Sequence, residues 1–207
     1  WKQRELASRP PNHSVQDSLK AMRASRDEIR AFLANATDAD LDRRTWMPLI
    51  FGWATARDSL QALIVHNVSE YWKLWLRTGK RGPAPSEAAI HLRLAFMMGI
   101  LPMSLNRELA AKKPFTMTWN FSGPGGGFWT FKVADGKCVV SQSPASDADL
   151  TITMKPESFH KLITKMTPPP LLMLTGEMKV KGFGAMGTFA KMFPEPKPET
   201  ILSPQTG

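Results

Sequence analysis

Hydrophobic and polar positions divide the chain into a part with helical spacing and a part with strand spacing. After Val15, apolar residues recur at Leu19, Met22, Ile29 and Phe32 with charged residues between them, so the spacing predicts a helix. Ser14, with Asp17 three places on, reads as its capped start. Thr55 and Asp58 repeat that signature ahead of a second stripe at Leu60, Ile64, Val68, Tyr71 and Trp75, and Gly79 supplies the stop. A third helix starts near Ser86. It carries Ile90, Leu94, Met97, Leu101 and Leu105 on one side, and Phe96, Ile100 and Met103 on another. Being apolar nearly all round, it needs neighbours on several faces. Pro102 should kink it, because proline removes one ladder hydrogen bond and clashes with the preceding turn. Together these helices predict an antiparallel bundle over residues 1–113.

Past residue 113 the period changes to two. Phe115, Met117, Trp119 and Phe121 fall on one face of a strand. Residues 122–127 form a turn with four glycines, which lacks the closing Gly-Lys-Ser/Thr of a phosphate-binding loop and is followed by no helix. It reads as a link between strands. Residues 128–134, including Trp129, alternate again, and Asp135-Gly136 is a strong hairpin signal that turns the chain into residues 137–141. Leu150, Ile152 and Met154 line a fourth strand, and Pro156 opens a helix whose stripe is Phe159, Leu162, Ile163 and Met166. Pro168, Pro169 and Pro170 stop it, residues 171–174 make a short apolar turn, and residues 177–181 read as the last strand. Phe183, Met186, Phe189, Ala190 and Phe193 then form a final amphipathic helix. The predicted class is α+β, with a domain over residues 114–193 and an extended tail over 194–207.

Composition narrows the picture. The chain has 207 residues, 43% of them hydrophobic and 22% charged, which suits a globular protein with a sizeable core. No run of eighteen apolar residues is present, so no spanning helix is expected. The chain begins at Trp1 rather than Met, which leaves room for a targeting segment upstream. The formal net charge of +9 is uneven: residues 1–113 hold 18 basic and 11 acidic side chains, and all twelve arginines lie at or before Arg107. That shift suggests a boundary near residue 113. Basic residues are interleaved with acids, as in Arg23, Arg26, Asp27, Glu28 and Arg30, so a solvated helix face is expected rather than a nucleic-acid surface. The single cysteine, Cys138, fits a reducing, cytoplasmic compartment and reads as a buried strand residue with no base beside it in sequence.

Two resemblances sharpen the expectations. Leu41-Asp42-Arg43-Arg44, then Gly52-Trp53-Ala54-Thr55-Ala56-Arg57-Asp58, running into Leu63-Ile64-Val65-His66, resemble the DinB-like metal-binding bundle over roughly residues 14–112. That group includes the amino-terminal domain of mycothiol-dependent maleylpyruvate isomerase. The family's site normally takes three ligands, commonly histidines. His66 matches the first, nothing matches the later pair, and Glu70 and His91 are the residues that could complete it. The favoured reading is no metal, with His66 a hydrogen-bonded core residue.

Gly125-Gly126-Gly127-Phe128-Trp129, Asp135-Gly136-Lys137, and Ala148-Asp149-Leu150-Thr151-Ile152-Thr153-Met154 resemble the sterol carrier protein 2 family. The likeness continues through Phe159, Leu162 and Gly176-Glu177-Met178-Lys179-Val180-Lys181-Gly182, and covers about residues 106–193. It implies a mixed five-stranded sheet with covering helices around an apolar tunnel. Adaptable side chains suit such a tunnel. The candidate ligand-binding residues are Trp119, Trp129, Met166, Leu171, Leu172, Met173, Met178, Phe183, Met186 and Phe189.

The expected function is binding or carriage of a lipid, sterol or similar hydrophobic metabolite, with no cofactor, no catalytic residue and at most transient contact with a membrane surface. The alternative is a metal- or thiol-dependent isomerase or transferase resembling maleylpyruvate isomerase. A third reading has the bundle docking on a partner through Trp46, Trp53, Trp72 and Trp75.

Overall fold

The computed structural model describes residues 14–47 and 52–194, with the backbone alone for residues 45–47 and 52–54. The tail expected after Pro194, and the side chains of Trp46 and Trp53, lie outside the described residues. The chain divides into two compact units, Trp1–Arg43 and Arg44–Gly207.

The first unit contains α1 (Val15–Asn35) and α2 (Asp38–Asp42). Each begins in a reciprocal capping box. At α1 the Asp17 N–H donates to Ser14 Oγ at 3.1 Å, and the Ser14 N–H donates to Asp17 Oδ2 at 2.9 Å. Thr37 and Asp40 do the same for α2. No residue of either helix is buried, and the expected stripe is largely exposed at Val15, Met22 and Phe32.

The second unit opens with a hairpin of β1 (Arg44–Met47) and β2 (Gly52–Thr55), which pair antiparallel from Arg44↔Thr55 to Met47↔Gly52. Thr55 then caps α3 (Ala56–Arg77), its Oγ1 accepting from the Asp58 N–H at 3.0 Å. The helix stops at Arg77 under a Thr78 cap, and Gly79 beyond it takes the left-handed φ of +71° that glycine tolerates best. The Lys80 N–H closes that turn by donating to the Trp75 carbonyl at 2.8 Å.

The buried side of α3 is Ala62, Val65 and Trp72, not the expected stripe. Ile64 and Tyr71 are exposed. Tyr71 Oη instead donates to the Pro83 carbonyl, and Trp75 Nε1 to that of Gly82, so two of the stripe's aromatics hold the following loop.

Ser86 caps α4 (Glu87–Ile100), as the sequence implies. Pro102 does not kink this helix but ends it. The chain tightens into a 3-10 turn at Leu101–Ser104 and restarts as α5 (Arg107–Lys112) under an Asn106 cap. The turn form accommodates a residue without an N–H at its first positions, which an α-helix interior cannot.

The strands are β3 (Phe115–Phe121), β4 (Gly127–Ala134), β5 (Lys137–Ser141), β6 (Leu150–Met154) and β7 (Met178–Lys181). They form one sheet in the order β5-β4-β3-β6-β7. Only β3 and β6 run parallel, so the sheet is mixed. Asp135 and Gly136 both have positive φ, the turn form that matches strand twist in a two-residue hairpin.

The link from β5 to β6 is fixed by Asp149. Its carboxylate accepts from the Thr116 N–H at 2.8 Å, and its own N–H donates to the Thr116 carbonyl at 2.9 Å. Gly182 follows β7 at φ +80°, where a Cβ would collide with the Asp149 carbonyl oxygen. That end of the sheet therefore requires glycine.

Three helices complete the unit: α6 (Pro156–Ile163), α7 (Pro169–Leu174) and α8 (Met186–Met192), the last preceded by a 3-10 turn at Phe183–Ala185. The stretch expected as an apolar turn at 171–174 is therefore helical, because the prolines start a helix as readily as they stop one. Helix α6 ends at Ile163, so Met166 lies beyond it, after Lys165 at φ +56°.

Leu94 and Met98 of α4, Ala110 of α5, Phe159 of α6, Leu172 of α7, and Met192 with the adjoining Phe193 all join one core with the inner sheet face. That face is built by alternation: Met117, Trp119 and Phe121 on β3; Trp129, Phe131 and Val133 on β4; Leu150, Ile152 and Met154 on β6.

Candidate functional site

Two regions of the second unit carry candidate chemistry. The first is the apolar interior over β3, β4, β6 and β7. Pairing places Trp119 opposite Trp129 on one side and Ile152 on the other. Trp119 stacks on Phe121 with ring centroids 5.6 Å apart, and meets Phe159 edge-on at 5.4 Å and Phe189 edge-on at 6.4 Å. Phe121 in turn meets Trp129 at 5.5 Å. Such pairs add about 0.5–1.5 kcal/mol each beyond burial. The Trp119 indole N–H is buried and has no acceptor among the described residues. Buried indole N–H groups normally find one, so this donor is a hydrogen-bonding group left unused among the described residues.

The structure gathers most of the sequence-predicted ligand residues into this interior. Trp119, Trp129, Leu172 and Met178 are buried in the core, and Met173, Met186 and Phe189 pack against it half-buried. Leu171 and Phe183 are exposed, and Met166, half-buried, is not part of that cluster. The glycine-rich turn is a packing seat. At Gly125, with φ +68°, a Cβ would sit 2.6 Å from the Glu87 carbonyl oxygen and 2.8 Å from Ile90 Cβ, so only glycine lets the turn lie against the start of α4.

The second region is a polar cluster contributed by α3, α4 and α6, to which the apolar stripes and alternation do not point. Arg93 of α4 is only 2% exposed. Its Nη2 donates to Ser69 Oγ of α3 at 3.2 Å, while its Nε and Nη1 are buried with no acceptor among the described residues. Burial pulls the guanidinium pKa down to about 10. Its carbon lies 5.9 Å from the Trp72 ring centroid, within cation–π reach.

His160 of α6 stacks on Trp72, with centroids 4.8 Å apart and planes 13° from parallel. It is 0% exposed, and both its ring nitrogens lack partners among the described residues. Burial, then the charges of Arg93 and Lys73, push its pKa down to about 3, so the ring is neutral. The solvated-face reading holds for Arg23, Arg26 and Arg30, which are exposed, but not for Arg93.

A charged network borders this cluster. Glu157 accepts from Lys80 at 2.9 Å and pairs with Lys161 at 3.2 Å, and Lys161 also reaches Glu177 at 3.3 Å. Burial alone would raise the Glu157 carboxyl pKa. The two lysines overcome that and hold it below the usual value. The Ser158 hydroxyl donates to Glu177 at 2.8 Å and is the main cause of that carboxyl's lowered pKa.

The residues considered for a metal are not brought together. His66 is exposed on α3 rather than held in the core, because the helix is turned to bury Ala62, Val65 and Trp72. Glu70 pairs with Lys73 at 3.4 Å, and His91 leans on Trp129 at 5.5 Å. Among the described residues no group of three His, Cys, Asp or Glu side chains could hold a metal ion. Cys138 is half-buried on β5 against the core, and burial raises its thiol pKa to about 11, far from a nucleophile's. Of the tryptophans considered for docking, Trp72 is buried and Trp75 half-buried.

An α+β unit with a mixed five-stranded sheet and an aromatic, methionine-rich interior defines the class. Comparison with known proteins then places its parts. Residues 95–192 match the SCP-2 sterol transfer family, and residues 2–73 match the DinB superfamily. The chain thus joins a segment similar to the DinB superfamily to a segment similar to the SCP-2 sterol transfer family.

No curated protein matches the chain. Among solved structures, sterol carrier protein 2 from Yarrowia lipolytica in its apo form is 19% identical, with 48% of this chain and 91% of that one covered and a TM-score of 0.35. The sterol carrier protein domain 2 of Helicoverpa armigera is 16% identical, with 56% and 98% covered and a TM-score of 0.41. The sec-alkylsulfatase Pisa1 from Pseudomonas sp. is 17% identical over 51% of this chain, at a TM-score of 0.43, and the match spans only 17% of that enzyme. No described helix is long and apolar enough to cross a membrane.

Proposed function

We propose that this protein binds or carries an apolar ligand, a lipid, sterol or similar hydrophobic metabolite, in a pocket of its SCP2-family domain. The observation that carries the reading is the family match over the segment whose core gathers Trp119, Trp129, Leu172, Met173, Met178, Met186 and Phe189. Apolar surface leaving water supplies about 25 cal/mol per Å², so a sterol-sized molecule needs no ion pair to be held. Methionines at Met173, Met178 and Met186 can adapt to irregular shapes. The open indole N–H of Trp119 suits a single hydroxyl or carbonyl oxygen on an otherwise apolar ligand.

Helix α8 carries Met186 and Phe189 and adjoins the exposed Phe183, so it is the element we assign to ligand entry. Exposed Leu171, Leu174 and Phe183 suit brief contact with a membrane surface during exchange. A reducing, cytoplasmic setting suits the lone Cys138. The test is titration of the full chain with a fluorescent fatty-acyl probe and a fluorescent sterol, read by energy transfer from tryptophan. Saturable uptake of at least one probe at one per chain is expected, and no saturable uptake of either sinks the reading.

A further inference from the structure

We infer that Arg93 anchors a bound oxyanion, a carboxylate or phosphate, where α3, α4 and α6 converge. Ser69 and Trp72 come from the DinB-like segment, Arg93 precedes the residues of the SCP2 match, and His160 lies within them, next to the core residue Phe159.

Taking an ion out of water is strongly unfavourable unless an opposite charge or several hydrogen bonds replace the water. Arg93 is 2% exposed, yet its one partner is the neutral Ser69 hydroxyl, and two of its nitrogens have none among the described residues. Glu70 of α3 is paired with Lys73, and Glu157 of α6 with Lys80 and Lys161.

The local field is therefore positive. Arg93 and Lys73 both act on His160, and Glu157 is the weaker opposing charge. His160 adds a second buried group with unused hydrogen-bonding capacity, and the neutral ring has one N–H to donate. Both side chains lie against the Trp72 ring, His160 stacked on it and the Arg93 guanidinium within cation–π reach. A cationic donor with open N–H groups, a neutral donor beside it and a positive, dry surrounding make a receptor for negative oxygen. An apolar side chain at position 93 would suit a purely structural role better.

The test uses the full chain and three anions at matched ionic strength against chloride: inorganic phosphate, acetate and dodecanoate, with dodecanol as the uncharged control. Binding is read from the change in tryptophan fluorescence that is lost in Trp72→Phe, and from the unfolding temperature. At least one anion should bind saturably, and Arg93→Met should weaken it at least about tenfold, since hydrogen bonds to charged groups are the stronger kind. Ser69→Ala removes only the hydroxyl that orients Nη2 and should weaken the same anion more mildly, which keeps the test informative if Arg93→Met folds poorly.

Binding of phosphate or acetate marks a free small anion. Binding of dodecanoate alone, in preference to dodecanol, marks the headgroup of an amphiphile. Either supports the site. No saturable response to any anion, or equal binding by wild type and Arg93→Met, overturns it. The apolar-ligand reading is judged separately, because dodecanol can bind whether or not the anion site exists.

Discussion

Acidification should destabilise this protein through one residue, His160. Its pKa is about 3 in the folded state, against 6.5 when unperturbed. The folded value lies below the unfolded one, so in that window the unfolded chain holds the extra proton. Stability is full above the unfolded pKa and is lost as pH falls toward the folded one. At about pH 5 the group is some 1.5 units into the window, which at about 1.36 kcal/mol per unit is a loss of about 2 kcal/mol relative to neutral pH. That is a large share of the stability of an ordinary domain.

The carboxyls with lowered pKa values, Glu157 and Glu177, lose their contribution only as pH drops below their usual value of 4.5, so about pH 5 separates the histidine from them. The assay is urea unfolding followed by tryptophan fluorescence at neutral pH and at about pH 5, for wild type and His160→Phe. The phenylalanine keeps an aromatic ring on Trp72 and cannot titrate. Wild type should lose about 2 kcal/mol more than the variant between the two conditions. Equal losses would refute the claim that a dry, neutral imidazole sits between α3 and α6.

Other substitutions probe the supports of the fold. Gly125→Ala should destabilise by about 2–4 kcal/mol, from left-handed strain plus the close approach to Glu87 and Ile90, measured as a shift in the urea midpoint. Thr55→Ala removes one half of the α3 capping box and should cost about 1 kcal/mol by the same assay. Lys80→Ala breaks the exposed contact to Glu157 and should change stability by less than about 1 kcal/mol, an effect that shrinks further in high salt.

Much of the fold was legible in the sequence because its signals are local. Strict alternation locates β3 to β6, Asp135-Gly136 locates a hairpin, and Ser14, Thr55 and Ser86 each cap the helix they precede. What escaped depends on partners distant in sequence. The β1–β2 hairpin escaped because residues 44–55 do not alternate cleanly. The rotation of α3 escaped because several of its faces carry apolar residues and only packing selects one. Pro102 was expected to bend a helix, and it ended one, since the chain had an alternative turn available.

The polar cluster was the least visible part. Arginines usually face water, as Arg23 and Arg26 do, so Arg93 by its type alone reads as exposed. Its one sequence hint is that it is the sole charged residue between Glu87 and Arg107, inside a helix apolar nearly all round. A helix enclosed on several sides must bury whatever polar residue it carries.

The central claim, that the SCP2-family domain holds an apolar ligand, is tested most directly by native mass spectrometry of the full chain after gentle purification from cells. A population heavier than the apo chain by the mass of one hydrophobic molecule is expected, removable by organic extraction and restored by adding the extract back. A protein that stays at its apo mass, and takes up no lipid or sterol from such an extract, would contradict it.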